Sequence, residues 1–380
     1  MELSDYRQQI NDIDKEILQL FEQRMKVSVE IADYKKEHDL PVLDTARERH
    51  KLNDVRAQLP EELKDYGTSL FSLLMDLSKT HQRRSLGNEG ALTARVRDAV
   101  KNTPQLFPED AVCACQGVEG AYSQLACERL FRHPNVLYFD TFAAVFSAID
   151  KGLCRYGIIP LENSTAGSVN EVYDLMMRHN FSIVKSVRIK VAHNLLAKKG
   201  VTLSDIKEIY SHEQAIGQCS DFLSTLSGVK IIPCENTALA AKMVAASERK
   251  DIAALSSRSC MELYGLDCIK EDVQNNGNNF TRFICISKDL EIYPGADRSS
   301  LMMVLPHTPG SLYKTLSRFY ALDININKLE SRPLPERNFE FMFYFDIEAS
   351  IYTPRFIQLM DDLDEVCETF VYLGSYSEVV

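Results

Sequence analysis

Residues 5–36, DYRQQINDIDKEILQLFEQRMKVSVEIADYKK, decide the fold of the first part of the chain. Apolar side chains recur there at three- and four-residue spacing, at Tyr6, Ile10, Ile13, Ile17, Leu20 and Phe21. This spacing predicts an apolar stripe on one face of a helix, and Ser4 is placed to cap its start. No helix breaker occurs before Lys36, so we expect a helix of about 33 residues and about 50 Å.

Two shorter helical patterns follow, at 45–58 and 61–84, and complete an all-helical first domain at residues 1–86. Neither neighbour is long enough to cover the stripe of the first helix. A bare apolar stripe of this size is not stable in water. The sequence therefore predicts an intertwined homodimer.

Three further regions follow the helical domain. Residues 87–109 contain scattered Gly and Pro and are interpreted as a linker with one short helix at 91–101. In residues 110–288, short β-rich runs alternate with helical patterns, which predicts an α/β domain with mostly parallel strands. Residues 298–376 follow a βαββαβ order, which is typical of a ferredoxin-like α+β module. The fold class is therefore multidomain.

Composition limits the functions that this chain can have. A length of 380 residues with 45% hydrophobic side chains predicts two or three domains with substantial cores. The net charge of -11 offers no basic face to nucleic acid. The start is not a secretory signal, and no apolar run approaches the roughly 20 residues of a membrane span. The ten cysteines include no CxxC pair, so they are interpreted as reduced thiols without a metal. We expect a cytoplasmic protein.

Charged residues of the helical domain are spaced so that they share a face. Arg24 and Lys35 are 11 residues apart and only about 20° out of alignment on a helix. The second helix offers Asp44, Arg47 and Glu48, and the third offers Ser78 and Gln82. Arg7 lies about 100° from the Arg24 face, so one helix does not easily bring both to a single site, and in a dimer one of the two could come from the partner subunit. Taken singly, an Arg on a long helix is usually solvated, and Glu48 fits a capping box with Thr45.

Over its full length, this domain resembles the all-helical chorismate mutases. The matching stretches are Asp5–Asp14, Phe21–Arg24, Ile31–Lys35, Asp44–Glu48 and Ser78–Gln82. The resemblance implies a unimolecular rearrangement of chorismate to prephenate, which needs no nucleophile, metal or cofactor. It also implies the site residues: Arg7 from the partner subunit, Arg24 and Arg47 on the carboxylates, Lys35 and Gln82 on the ether oxygen, and Asp44, Glu48 and Ser78 around the ring hydroxyl.

In the α/β domain, polar clusters fall at predicted strand ends, where such folds bind ligands. They are Gly117–Ser123, Pro160–Thr165, Ser211–Gln214, Asn236–Ala238 and Asn279–Phe283. Each alone has an ordinary interpretation, since Gly117 suits a turn and His212 a helix cap. In this order they resemble prephenate dehydratase, whose members are two-lobed like periplasmic binding proteins. Val118 and Glu213 stand where that family usually has proline.

This second resemblance implies loss of water and carbon dioxide from prephenate, which yields phenylpyruvate. It singles out Thr281, and because a hydroxyl is a poor acid we interpret it as a hydrogen-bond donor. Glu162 and His212 are alternative proton sources. The remaining candidates for binding prephenate are Ser123, Asn163, Ser164, Thr165, Gln214 and Arg282.

The C-terminal module contains two short motifs, Pro309–Tyr313 and Glu330–Pro333. Alone they are a capped helix and a turn, but together they resemble an ACT domain. The resemblance implies that L-phenylalanine binds between two such modules and inhibits the dehydratase. The implied effector residues are Gly310, Ser311, Leu312, Glu330, Ser331 and Arg332, although Ser311 and Tyr313 depart from the usual pattern.

Two alternatives remain open from the sequence. An α/β binding fold attached to an ACT domain also suits a sensor of aromatic metabolites. A second possibility is an enzyme in which only one of the two activities is live. The charged face of the helical domain and the intact Thr281 favour the bifunctional enzyme over both.

Overall fold

The computed structural model describes residues 2–38, 40, 44–85, 90–334 and 340–380. The chain divides into two compact units, residues 1–91 and residues 92–380. None of the helices in the described part of the chain combines the length and the low charge that a membrane span requires.

The first unit is helical, as the sequence predicts. It consists of α1 (Leu3–Glu37), α2 (Thr45–Gln58) and α3 (Lys64–Ser85), with a 3-10 turn at Glu61–Leu63. The predicted cap at Ser4 is wrong, because α1 begins at Leu3, two residues earlier than a cap at Ser4 would place it. Its N-cap is Glu2, whose backbone N–H donates to the Asp5 carboxylate at 2.8 Å. Both α1 and α2 pack on α3, which gives the three helices one common polar face.

The second unit begins within the first turn of α4 (Ala91–Asn102) and continues as an α/β region. The strands of this region are β1 (Asp110–Gln116), β2 (His133–Phe139), β3 (Tyr156–Asn163), β4 (Gly167–Ser168), β5 (Ser182–Lys190), β6 (Asn194–Ala197), β7 (Glu208–His212), β8 (Lys230–Cys234), β9 (Ile252–Ser256), β10 (Asp267–Lys270) and β11 (Phe280–Ser287). The helices are α5 (Tyr122–Leu130), α6 (Phe142–Asp150), α7 (Asn170–Met176), α8 (Glu213–Gln218), α9 (Ser220–Ser224), α10 (Thr237–Ala246) and α11 (Arg258–Tyr264).

These strands form two sheets and therefore two lobes. The first sheet has the order β5-β11-β3-β1-β2, and the second has the order β10-β6-β9-β7-β8. The chain crosses between the lobes at 191–193, after β5, and returns at 271–279, before β11. Each sheet carries its own apolar core, with Ile158 and Ile284 in the first and Leu195 and Ala253 in the second.

The prediction of mostly parallel strands is wrong. In the first lobe β11 runs antiparallel to both β3 and β5, and in the second β6 runs antiparallel to β9 and β10. The cause is the double crossing, because β11 re-enters the first sheet from the second lobe. That return places β11 in the middle of the first sheet, beside β3.

The C-terminal module has the predicted βαββαβ order. Its elements are β12 (Arg298–Val304), α12 (Ser311–Ala321), β13 (Asn325–Pro333), β14 (Phe341–Glu348), α13 (Pro354–Val366) and β15 (Thr369–Tyr376). The strands form an antiparallel sheet in the order β13-β14-β12-β15. Helix α4, from the predicted linker, buries Val96 and Ala99 in the core of this module.

The module packs closely on the first lobe. At Gly374 in β15, a Cβ atom would lie 2.3 Å from the carbonyl oxygen of Ile183 in β5, so only glycine permits this approach of the two backbones. A final strand, β16 (Glu378–Val379), then pairs in parallel with β5. The last strand of the chain thus joins the sheet that carries β11.

Candidate active sites

The polar face of the helical unit encloses a cavity of about 510 Å³. The lining includes every predicted residue of this site except Arg7: Arg24, Lys35, Asp44, Arg47, Glu48, Ser78 and Gln82. Three helices therefore supply one charge-rich cavity, as their spacing predicts. Asp44 also caps α2, because its carboxylate accepts from the Arg47 backbone N–H at 3.0 Å.

Arg24 is a cation of the cavity that the third helix holds in place. Its Nη1 donates to the Leu74 carbonyl at 2.7 Å and to the Ser78 hydroxyl, so α3 holds the guanidinium in place. Burial lowers the pKa of Arg24 from its ordinary value, but the guanidinium remains charged at neutral pH. A positioned, desolvated guanidinium suits a substrate carboxylate.

Lys79 is a cavity residue that the sequence reasoning missed. Its Nζ lies 2.9 Å from Glu48 and 3.0 Å from Asp76. The ammonium therefore neutralises the carboxylate assigned to the ring hydroxyl. The signal was available in the sequence, since Asp76 and Lys79 are three residues apart on one helix.

Arg7 does not reach the cavity of its own chain. It lies 17 residues before Arg24 on the same helix, which separates the two by about 25 Å along the axis.

Between the two lobes of the α/β region lies a cleft of about 430 Å³. It is lined by five of the predicted residues: Ser123, Asn163, His212, Gln214 and Thr281. Glu162, Ser164, Thr165 and Arg282 are not part of this lining. Among the lining residues that the sequence reasoning did not single out are Gln116, His193 and Gln218.

Strand alternation explains which residues reach the cleft. In the register of β3 and β11, Thr281 faces Asn163 and Arg282 faces Glu162. Successive side chains of a strand point to opposite faces of the sheet. The Asn163–Thr281 pair therefore opens into the cleft, while the Glu162–Arg282 pair lies on the other face.

The hydrogen bonds around Asn163 fix the role of the Thr281 hydroxyl. Asn163 Oδ1 accepts from the Thr165 hydroxyl at 2.7 Å and from the backbone N–H groups of Thr165 and Ala166. Its amide nitrogen must therefore be the atom that faces Thr281, and it donates to Oγ1 at 2.9 Å. Because Oγ1 accepts this hydrogen bond, the hydroxyl proton of Thr281 is left to donate in another direction.

Gln218 bridges the two lobes at the back of the cleft. From α8 its amide nitrogen donates to the Thr165 hydroxyl at 3.0 Å, and its oxygen accepts from Asn279 at 3.1 Å. The same oxygen lies 2.9 Å from Nε2 of His193, a buried residue of the first crossing. Burial lowers the pKa of His193, which keeps its imidazole neutral near pH 7. The sequence did not distinguish Gln218 or His193, because Gln218 is the last residue of a helix and His193 lies in the segment between β5 and β6.

The positive charge available in the cleft comes from helix N-termini rather than from cationic side chains. The N-terminal residues of α5 and α10, including Ser123 and Thr237, line it, and none of its lining residues in the described chain is Arg or Lys. The N-terminus of a helix carries partial positive charge and unpaired N–H groups, which favour carboxylates. His212 caps α8, because its Nδ1 accepts from the Gln214 N–H at 3.2 Å.

Glu162 and Arg282 are instead held by ion pairs. Glu162 lies 2.7 Å from Lys328 and 3.4 Å from Arg282. Burial raises the pKa of Glu162, but the hydrogen bond and charge of Lys328, with Arg282, outweigh it, so the pKa falls below its ordinary value. A carboxylate held ionised in this way is unsuited to donate a proton, and Arg282 is directed away from the cleft.

The C-terminal module has a cavity of about 360 Å³ at the start of α12. Ser311 and Leu312 line it, together with Leu305, His307, Phe341 and Phe343. Gly310 adopts a left-handed conformation with φ of 86°, and a Cβ there would meet no atom within 4 Å. Glu330 and Arg332 lie elsewhere, since Glu330 accepts from Ser168 at 2.5 Å and Arg332 pairs with Asp174 at 2.9 Å. Ser331 is exposed on the strand between them.

Two family models match the chain in the regions that hold these cavities. The model of chorismate mutase type II matches residues 6–83, and that of prephenate dehydratase matches residues 113–291. They confirm the two resemblances seen in the sequence.

Known proteins extend the match to nearly the whole chain. The bifunctional chorismate mutase/prephenate dehydratase of Enterobacter agglomerans is 30% identical over 382 residues, which cover 97% of this chain and 94% of the relative. The chloroplastic arogenate dehydratase/prephenate dehydratase 2 of Arabidopsis thaliana is 36% identical over 275 residues, 69% of this chain and 72% of the relative. The solved prephenate dehydratase of Arthrobacter aurescens, in complex with L-Phe, has a TM-score of 0.65 at 24% identity and covers 70% of this chain and 90% of that one. Because one relative spans both matched regions, the chain belongs to the family of bifunctional chorismate mutase/prephenate dehydratases.

Proposed function

We propose that the helical cavity rearranges chorismate to prephenate and that the interlobe cleft converts prephenate to phenylpyruvate. The observation that carries this assignment is that the two cavities differ in chemistry. The cleft contains the Asn163–Thr281 hydrogen bond, whereas the cavity of the helical unit is rich in cations. The first site holds a flexible dianion, and the second assists departure of a hydroxyl group. The family assignment makes the chain an enzyme and not a sensor alone.

In the helical cavity, catalysis rests on positioning and on charge. Arg24 and Arg47 bind the carboxylates of chorismate and hold it in its compact form. Lys35 and Gln82 donate to the ether oxygen, on which negative charge grows as its bond to the ring breaks. Asp44, Glu48 and Ser78 orient the ring hydroxyl.

In the cleft, the bond between the ring and its carboxylate breaks and releases carbon dioxide. The electron pair of that bond enters the ring as the hydroxyl leaves the opposite carbon, and the ring becomes aromatic. Thr281 donates a hydrogen bond to the departing oxygen, because Asn163 already donates to the Thr281 oxygen. The departing hydroxide takes a proton from solvent and is released as water. Ser123 and the helix starts at α5 and α10 bind the carboxylates, with His212 and Gln214 closing the cleft from the second lobe.

We propose that the helical unit works as a homodimer. The stripe of α1 remains uncovered by its own unit, with Tyr6, Ile10, Ile13 and Ile17 each more than half exposed. An uncovered stripe of this length favours a second copy of the helix. In that arrangement Arg7 completes the cavity of the partner subunit.

We also propose that L-phenylalanine binds the cavity at the start of α12 and inhibits the dehydratase. The cavity combines apolar side chains, such as Leu312 and Phe343, with polar ones, such as Ser311 and Thr308, which suits a small amino acid. A bound L-Phe in the prephenate dehydratase of Arthrobacter aurescens makes this the effector to test. The ACT assignment of the module and a cytoplasmic location stay predictions.

One assay tests the assignment of the two cavities. The protein is incubated with chorismate, and phenylpyruvate is followed by its ultraviolet absorbance in alkali. Arg24→Ala protein is expected to convert supplied prephenate but not chorismate, whereas Thr281→Ala protein is expected to accumulate prephenate. Normal formation of phenylpyruvate by both variants would refute the assignment, and a wild-type chain that performs one step only would show that a single activity is live.

A further inference from the structure

The cleft and the C-terminal module meet at two adjacent rungs of one ladder. Asn163 and Thr281 form the rung that faces the cleft, and Glu162 and Arg282 form the next rung, which faces the module. The two rungs share the backbone of β3 and β11. A shift of the second rung must therefore move the first.

Each member of the second rung is bound by the module. Lys328 of β13 donates to Glu162 at 2.7 Å. Arg282 donates to Asp346 of β14 and, at 2.9 Å, to the Tyr376 hydroxyl of β15. Three strands of the module thus hold the two residues that neighbour Asn163 and Thr281 in sequence.

Because the ion pair between Arg282 and Asp346 is buried, it requires a defined geometry. Arg282 is 5% exposed and Asp346 is 0% exposed, so each charge depends on the other for compensation. The Glu378 carboxylate lies 3.0 Å from Nε of Arg282, and Ser300 donates to Asp346 at 3.1 Å. A buried ionic network of this kind accepts few geometries, because a displaced charge loses its partner.

The strand that touches Glu162 also carries Glu330, Ser331 and Arg332, three of the residues that the ACT resemblance assigns to effector binding. Lys328 lies 3.8 Å from Glu330 and donates to Ser168 at 2.8 Å. Ser168 in turn donates to Glu330 at 2.5 Å. Any ligand that moves β13 changes the partners of Lys328 and therefore of Glu162.

We propose that Glu162 and Arg282 are positioning residues through which the C-terminal module sets the geometry of the Asn163–Thr281 pair. They touch neither substrate nor effector. Lys328 and Asp346 hold them in the active arrangement, and withdrawal of Lys328 from Glu162 is the step by which the effector lowers dehydration. The second part of this inference rests on the proposed regulation by L-phenylalanine, whereas the first part does not.

The test uses the full chain and the substitution Lys328→Met. Lys328 lies outside the cleft, and its loss leaves Glu162 still paired with Arg282, so the fold is expected to survive. Lys185→Met is the matched control. Lys185 also joins the first lobe to the C-terminal segment, because it donates to Ser377 at 2.8 Å. In the register of β5 and β11, however, it lies opposite Cys285, four residues from Thr281. Dehydratase kcat and KM are measured on prephenate, and the rate is measured again at saturating L-phenylalanine.

We expect Lys328→Met to lower kcat about ten-fold, as a small misplacement of a catalytic group does, with KM little changed. The fraction of its rate that survives saturating L-phenylalanine should rise, although calorimetry still detects binding. Lys328→Arg should recover both properties, and Lys185→Met should match the wild type.

The inference is overturned if Lys328→Met protein, with the melting temperature of the Lys185→Met control, keeps wild-type kcat and wild-type inhibition. Equal losses in both lysine variants would also overturn it, since they would indicate general loosening of the module. Should Lys328→Met melt below the assay temperature, Lys328→Gln is measured in its place. A wild-type chain that binds no L-phenylalanine would refute the proposed regulation, while kcat of the lysine variants would still decide the positioning role.

Discussion

In the proposed dehydratase step, Thr281 serves as a donor because of the hydrogen bond that its oxygen already accepts. A threonine hydroxyl is both donor and acceptor and does not favour either role by itself. The amide of Asn163, oriented by three donors on its own oxygen, removes that ambiguity. The Thr281 hydroxyl is therefore a preorganised donor. Preorganisation allows a weakly acidic group to assist departure of the substrate hydroxyl.

Substitutions at Thr281 separate the hydroxyl from the methyl group. We expect Thr281→Ala to lower the dehydratase kcat by about 10²–10³, the usual cost of removing one aimed donor. Thr281→Ser should keep most of the wild-type kcat, because it keeps the hydroxyl donor. Steady-state kinetics on prephenate measure both, with mutase activity as the control for folding. Equal losses in folded Ala and Ser variants would show that methyl packing matters instead.

The pH dependence distinguishes Glu162 as a positioning group from Glu162 as a proton donor. Its pKa is lowered, so it is ionised throughout the neutral range, and the stability from its ion pairs is lost only as pH falls through that lowered value. We therefore expect Glu162→Gln to reduce the dehydratase kcat by the same factor at about pH 6, 7 and 8. A wild-type rate that rises toward acid, with the rise absent in the Gln variant, would instead make Glu162 the acid.

At the scale of elements, sequence periodicity predicted those helices and strands that depend on local sequence alone. The three helices, the βαββαβ module and the polar strand ends all follow from spacing and turn residues. The direction of Arg282 does not, because it depends on which face of β11 meets the cleft. That face is decided by the return of β11 between β3 and β5, a contact between distant parts of the chain. Gln218 was missed for the same reason, since its partners come from the other lobe.

The packing of α1 on α3 gives the mutase its clearest single test. Arg24 is held by the Leu74 carbonyl and Ser78, so Arg24→Ala should remove a fixed cation and lower mutase kcat/KM by at least about 10². Dehydratase activity on supplied prephenate should be unchanged. Arg56→Ala, which removes an exposed pair with Asp65, is the matched control and should leave both activities near wild type. Comparable mutase loss in both variants would argue against the cavity.

At the scale of the whole molecule, the sequence predicted a second copy from the length of one helix. The 35 residues of α1 extend about 52 Å, which carries Arg7 far from the cavity that Arg24 serves. An exposed apolar stripe and a displaced site residue are two independent observations on the same helix. Both are satisfied when a second α1 lies along the first.

Mixing two inactive variants tests this arrangement. If each cavity takes Arg24 from one chain and Arg7 from the other, a hybrid of Arg7→Ala and Arg24→Ala chains contains one intact cavity and one that lacks both arginines. Random exchange of equal amounts makes half of the dimers hybrid, so mutase activity should recover to about a quarter of wild type. A mixture of Arg24→Ala with Lys35→Ala is the control and should stay inactive, because those two residues come from the same chain and neither hybrid cavity is complete. Recovery in the control, or none in the first mixture despite exchange measured by mass spectrometry of labelled chains, would show that Arg7 does not serve the partner subunit.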